Sequence, residues 1–175
     1  MASLAACEGS PSATLSDAPA LTDREAAVYD RQLRVWGMQG QIRMKKSRVL
    51  LLGLNGLNAE VCKNLTLAGV NVTVQDTHTV AVEDVGSQFF ICAEQVGQNR
   101  AEASLARIRE LNPFADVRVS VRPRSELLSQ SSSYLKDEGI TVVVCADPLC
   151  SFEEHGSLGV GHSLLCSPVL LRASP

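Results

Sequence analysis

Residues Arg48 to Asp76, RVLLLGLNGLNAEVCKNLTLAGVNVTVQD, constrain the fold of this chain more than any other stretch. An apolar run from Val49 to Leu52 meets a turn carrying Gly53 and Gly56. A helix-patterned segment follows, and a second apolar run ends on Asp76. Strand, tight glycine turn, helix, strand and terminal acid form the layout of a nucleotide-binding βαβ unit. Where that layout calls for a third glycine, the chain has Asn58. A side chain there stands where helix and strand pack closest, so Asn58 bears directly on any phosphate site.

The 175 residues suffice for one domain with a substantial core. Hydrophobic residues make up 45% and aromatics only 4%, so that core must be aliphatic. A net charge of −3 gives no bulk attraction for nucleic acid. The six cysteines form no CxxC pair, and three sit inside apolar runs, so neither a disulfide nor a zinc framework is expected. No apolar run approaches the roughly 20 residues of a membrane span. No charged n-region with an apolar h-region opens the chain. The expectation is a soluble intracellular protein without membrane contact.

Residues 1–21 are rich in Ala, Ser and Pro and are expected to be disordered. Thr22-Asp23-Arg24-Glu25 reads as a capping box opening a helix that ends at Gly37. A second short helix is expected over Met38–Lys46. The strands Arg48–Gly53 and Asn71–Asp76 are near-continuous apolar runs, as parallel strands covered on both faces require. Between them lies a helix from about Leu57 to Ala68, ended by Gly69. The polar connection from Asp76 to Asn99 is long for its type and therefore suspect of function. A helix over Arg100–Leu111, stopped by Asn112-Pro113, leads to a strand at Val117–Val121. A weaker helix over Glu126–Lys136 precedes a buried strand at Ile140–Ala146. This alternation predicts an α/β fold: a Rossmann-like doubly wound parallel sheet preceded by N-terminal helices. Residues 151–175 break the pattern and read as an atypical tail, expected to be disordered and not native domain sequence, as a splice variant or a shifted reading frame would leave; the domain (22–150) is then incomplete at its C-terminus. An ordinary loop with one edge strand is the alternative reading of that tail.

Several residues could carry chemistry. Gly53 and Gly56 would let the backbone approach a phosphate at the amino end of the next helix. Asp76, twenty positions after Gly56, would bond ribose hydroxyls. A plain turn and a strand-end acid explain the same residues. Arg31 lies before the first strand and cannot easily reach this chain's own turn, although it could reach a partner's; a solvated helix face is the simpler reading. Asn99 fits an N-cap, and Arg100 opens its helix toward the strand ends. Asp147 follows the last strand, where magnesium-linked acids sit in such sheets, or is a turn residue before Pro148. The histidines form no triad and no metal spacing.

Taken as one ordered series, the residues resemble a known family. Tyr29-Asp30-Arg31-Gln32-Leu33-Arg34-Val35-Trp36-Gly37 is followed by Gly53-Leu54-Asn55-Gly56-Leu57, Lys63-Asn64-Leu65, Leu67-Ala68-Gly69-Val70 and Asp76. Then come Ser87-Gln88-Phe89, Val96-Gly97-Gln98-Asn99-Arg100-Ala101-Glu102-Ala103 and Leu111-Asn112-Pro113. From about Ala26 to Asp147 this is similar to the activating enzymes of ubiquitin and ubiquitin-like modifiers, related to bacterial MoeB and ThiF. Within them it looks most like the non-cysteine (Aos-type) subunit of the SUMO-activating heterodimer, then its NEDD8 counterpart. The resemblance implies ATP-dependent adenylation of a modifier's C-terminus, with ATP and magnesium bound mainly by a cysteine-bearing partner subunit. It implies a crossing role for Arg31 at the partner's phosphates. Gly53, Gly56, Asp76, Arg100 and Asp147 would be remnants of a nucleotide site. A nuclear and cytoplasmic location goes with that reading. Departures at Asn58, Ser87 (where the family has Arg) and Arg100 (near its Lys) imply the non-adenylating half. A truncated regulatory form, a self-sufficient adenylating enzyme and an NAD-binding oxidoreductase are the alternatives.

Overall fold

A computed structural model describes residues 21–129, 131–145 and 169–172. The expected capping box is present. Thr22 accepts from the backbone of Glu25, and Glu25 returns the bond to the Thr22 N–H at 2.9 Å. It opens helix α1 (Asp23–Val28), which is shorter than expected because the chain turns at Tyr29 and restarts as α2 (Asp30–Lys46). Gly37, with φ 74°, kinks α2 where the sequence placed a helix end.

Then come β1 (Arg48–Leu52), α3 (Gly56–Leu67), β2 (Asn71–Gln75) and α4 (Val82–Ser87). A 3-10 turn at Ala93–Gln95 leads to α5 (Arg100–Leu111) and β3 (Val117–Ser120). The helix expected over Glu126–Lys136 is divided into α6 (Arg124–Ser129) and α7 (Ser131–Asp137), and β4 (Val142–Cys145) follows. The strands lie in the order β3-β2-β1-β4, all parallel, as a doubly wound fold predicts. The tail departs from the sequence reading in one respect. The β-favouring run Val169–Arg172 forms β5, an antiparallel edge strand on β4. The disorder expected for residues 1–21 falls almost wholly outside the described residues, as does the rest of the tail.

Alternate side chains of the sheet feed two cores. Val49, Leu51, Val72, Val74, Val117 and Val144 pack with Ala59 and Cys62 of α3 and Ile108 of α5. Leu50, Leu52, Val143 and Cys145 pack on the other face with Leu135 of α7. The core is mainly aliphatic, with Phe90 and Tyr29 its buried aromatics among the described residues. Burial pushes the Cys62 thiol up to about 12, so this cysteine serves as a small hydrophobe.

The N-terminal helices are tied to the amino-terminal edge of the sheet by buried polar groups. Gln41, fully buried, donates to the Ala68 carbonyl at 2.8 Å and accepts from the Trp36 indole at 3.1 Å. Asn112 donates at 2.7 Å to both the Tyr29 hydroxyl and the Thr66 carbonyl. Glu25 pairs with Lys45 at 2.6 Å, and that bond, against the opposing effect of burial, holds its carboxyl below the usual range.

Asn112→Ala removes the amide that joins Tyr29 to α3; the buried Tyr29 hydroxyl loses its donor, while the Thr66 carbonyl keeps the Gly69 N–H. The substitution is expected to destabilise the chain by about 1–3 kcal/mol. The urea midpoint of the full chain checks this, and an unchanged midpoint refutes the coupling.

Candidate functional site

The glycine turn forms where the sequence puts it, at the carboxyl end of β1. Gly53, with φ 78°, adopts a conformation that L side chains rarely enter, and its N–H donates to Gln75 at 2.7 Å. Asn55 caps α3 by accepting from the Asn58 N–H at 2.9 Å. Gly56 is required by close approach: a Cβ there would stand 2.7 Å from the Ser87 carbonyl oxygen.

Asn58 is fully buried beneath this turn. Its amide donates to the Leu52 carbonyl at 3.0 Å and to the Gly53 carbonyl at 2.6 Å. The residue that replaces the third glycine therefore holds the turn together from inside. Gln88 adds a bond from the other side, donating to the Leu54 carbonyl at 3.2 Å. Arg124 of α6 reaches the same turn, with its guanidinium 3.8 Å from the position of a Cβ on Gly53.

Asp76 sits just past β2 with its side chain wholly enclosed. One carboxylate oxygen accepts from the Leu54 N–H and from Arg100 Nε, both at 2.7 Å. The other meets the His78 N–H at 2.9 Å and His78 Nδ1 at 2.8 Å. Burial works to raise the Asp76 pKa, but the Arg100 guanidinium and the Leu54 and His78 N–H groups hold it below the ordinary carboxylate value. Burial likewise opposes the charge on Arg100, and Asp76 outweighs it, so the guanidinium is held above its usual value. Arg100 also pairs with Asp84 of α4 at 3.2 Å. Asn99 caps α5 through its side-chain oxygen and donates its amide to the Asp76 carbonyl at 3.0 Å.

The structure thus brings Gly53, Gly56, Asp76 and Arg100 to one edge. Arg31 is elsewhere. It is exposed, two residues past Tyr29, whose hydroxyl lies against Gly69 at the opposite edge. A five-residue strand separates the edges by roughly 16 Å. Asp147 lies outside the described residues. His78, Asp84 and Gln88 complete the site and were not singled out for it in the sequence; their signals were the unusual length of the polar connection that carries them and, for Gln88, its place in the Ser87-Gln88-Phe89 motif. Among the described residues no group of His, Cys, Asp and Glu could hold a metal ion.

A family model described as ThiF family matches residues 29–152. SUMO-activating enzyme subunit 1 of Homo sapiens is 46% identical over 136 residues, covering 74% of this chain and 39% of that protein. The Xenopus laevis protein of the same name is 51% identical over 113 residues, covering 64% of this chain and 32% of its own length. The chain therefore spans well under half the length of these relatives. Among solved structures, E. coli tRNA N6-threonylcarbamoyladenosine dehydratase, TcdA, in complex with AMP, is similar with a TM-score of 0.66 at 21% identity. That match covers 78% of this chain and 54% of the other, and it supports the fold.

Asp76→Asn weakens the charge-assisted bond to Arg100, which then keeps Asp84 as its charge partner, and is expected to cost about 1–3 kcal/mol. Because the folded pKa is depressed, the contribution of Asp76 is present above the unfolded value of about 3.9 and is lost as pH falls through the folded value. The acid limb of a stability-against-pH curve should accordingly flatten in the variant. The double variant Asp76→Asn/Arg100→Gln should be less destabilised than the sum of the single variants by about 1–3 kcal/mol. Simple additivity in denaturant unfolding would rule out the coupling.

Proposed function

Because the chain belongs to the ThiF family, we propose that it acts as the non-adenylating subunit of a heterodimeric SUMO-activating enzyme. Its partner is a cysteine-bearing subunit that binds ATP and magnesium and adenylates the modifier's C-terminus. This chain contributes Arg31 to the partner's phosphates. A fixed cation stabilises the charge developing on a transferring phosphate without any proton transfer.

One observation carries the reading. The acid that would bind a ribose is enclosed and meets donors on both oxygens within the chain. That speaks against a complete adenylating site here and for a supporting role. Arg31 supports it from the other edge: it makes no hydrogen bond or ion pair among the described residues, and its exposure leaves it available to a second chain. The relatives named SUMO-activating enzyme subunit 1 favour SUMO over other modifiers.

The purified chain is expected to give no modifier-dependent ATP–pyrophosphate exchange; robust exchange sinks the proposal. In the assembled complex, Arg31→Ala should slow adenylation by about ten-fold or more while co-purification with the partner is preserved. Wild-type adenylation rates in that complex would remove Arg31 from the mechanism.

A further inference from the structure

The residues at the strand ends do not fit a nucleotide. Asp76 presents no surface to a ribose. Asn58 occupies the space beneath the turn, and the Ser87 carbonyl oxygen stands against Gly56 above it. Asp76 is bonded through both carboxylate oxygens and Asn58 through its amide nitrogen, while the buried side-chain oxygens of Asn58 and Gln88 have no partner among the described residues.

We propose that Arg100 is a built-in occupant of this site: a staple that replaces the ligand as the organiser of the connection between β2 and α5. The inference rests on the reading of the chain as a non-adenylating subunit and adds the device that makes it one. Arg100 holds the connection at three points. Its guanidinium bonds Asp76 at 2.7 Å and Asp84 at 3.2 Å, and its backbone N–H bonds the His78 carbonyl at 2.9 Å.

Asp84 is the organising residue of α4. Its carboxylate accepts from the Ala81 N–H at 2.9 Å, and its carbonyl accepts from the Gln88 N–H at 3.0 Å. Gln88 in turn bonds Leu54 in the glycine turn. The chain of contacts runs from Arg100 through Asp84 to Gln88 and closes on the turn. In a nucleotide-binding protein a bound ligand can order such a segment, with stability that depends on its concentration. Here the order is supplied by a covalently attached cation and is independent of ATP. The segment so fixed carries Phe89, 43% exposed, packed against Phe90 and beneath the Lys63 ammonium.

Hydrogen–deuterium exchange on the full chain tests this, with and without millimolar MgATP. In the wild type, peptides spanning residues 53–58 and 77–99 should exchange identically in both conditions. Asp84→Asn and Arg100→Gln should each speed exchange within residues 80–90 by about ten-fold or more, with β1 and β2 unchanged in the Asp84 variant. Asp84→Asn keeps the buried Asp76–Arg100 pair intact, so it decides the matter if Arg100→Gln does not fold. Slowing by MgATP in the wild type overturns the proposal, because the site then takes nucleotide. So does wild-type protection of residues 80–90 in the Asp84 variant. Neither result depends on Arg31 or on partner binding, so the staple and the subunit reading fail separately.

Discussion

The enclosed carboxylate of Asp76 is the constraint on which this end of the molecule depends. A buried charge is tolerated only when it is paired and its remaining lone pairs are met. Asp76 satisfies that condition by recruiting from three directions: the glycine turn through Leu54, the segment after β2 through His78, and the start of α5 through Arg100. Each recruited group fixes a different piece of backbone. The turn, the crossover and the next helix are therefore positioned relative to β2 by one side chain. A neutral residue there would take from Arg100 its closer charge partner and leave Asp84 of α4 as the one that remains among the described residues.

Much of the fold could be read from periodicity. The apolar runs of β1 and β2 and the capping motif at Thr22 are local patterns with local causes, and they appear where expected. So do the limits of α5 between Asn99 and Asn112. What could not be read there was set by tertiary contacts. The break at Tyr29 is fixed by its hydroxyl meeting Asn112, a residue 83 positions away. The edge strand at Val169–Arg172 depends on an open edge of β4 that no local pattern announces. At the site, Asp76 and Arg100 were visible as candidates, but not their bond to each other: pairing across 24 residues follows from the strand order, not from spacing. Asp84 was legible only as a member of an overlong connection, and Gln88 as part of that connection and of the Ser87-Gln88-Phe89 motif.

The two edges of the sheet divide the molecule's work. The amino-terminal edge is a scaffold of buried amides, Gln41 and Asn112, together with the Glu25–Lys45 pair. It holds α1 and α2 rigidly while leaving Arg31 in solvent. The carboxyl-terminal edge, where ligands bind in open α/β sheets, is closed by the chain's own side chains. An exposed cation on a fixed helix and a carboxylate bonded from within the chain are what the proposed supporting role requires.

The manner of that closure has a physical reason. A strand–turn–helix unit without a phosphate bound still has its backbone donors and acceptors, and burying them unpaired is costly. Deleting the ligand without replacing its contacts would therefore destabilise β1, β2 and α3 together. Asn58 gives its amide to the carbonyls of Leu52 and Gly53, Asn55 takes the Asn58 N–H, and Asp76 takes that of Leu54. A third glycine at position 58 would keep its N–H for Asn55 but could not reach the carbonyls of Leu52 and Gly53, since it brings no side-chain donor. The departure from the glycine pattern and the charge pair at Asp76 are then parts of one arrangement. Both supply from within the chain the hydrogen bonds that a bound nucleotide would otherwise organise from outside.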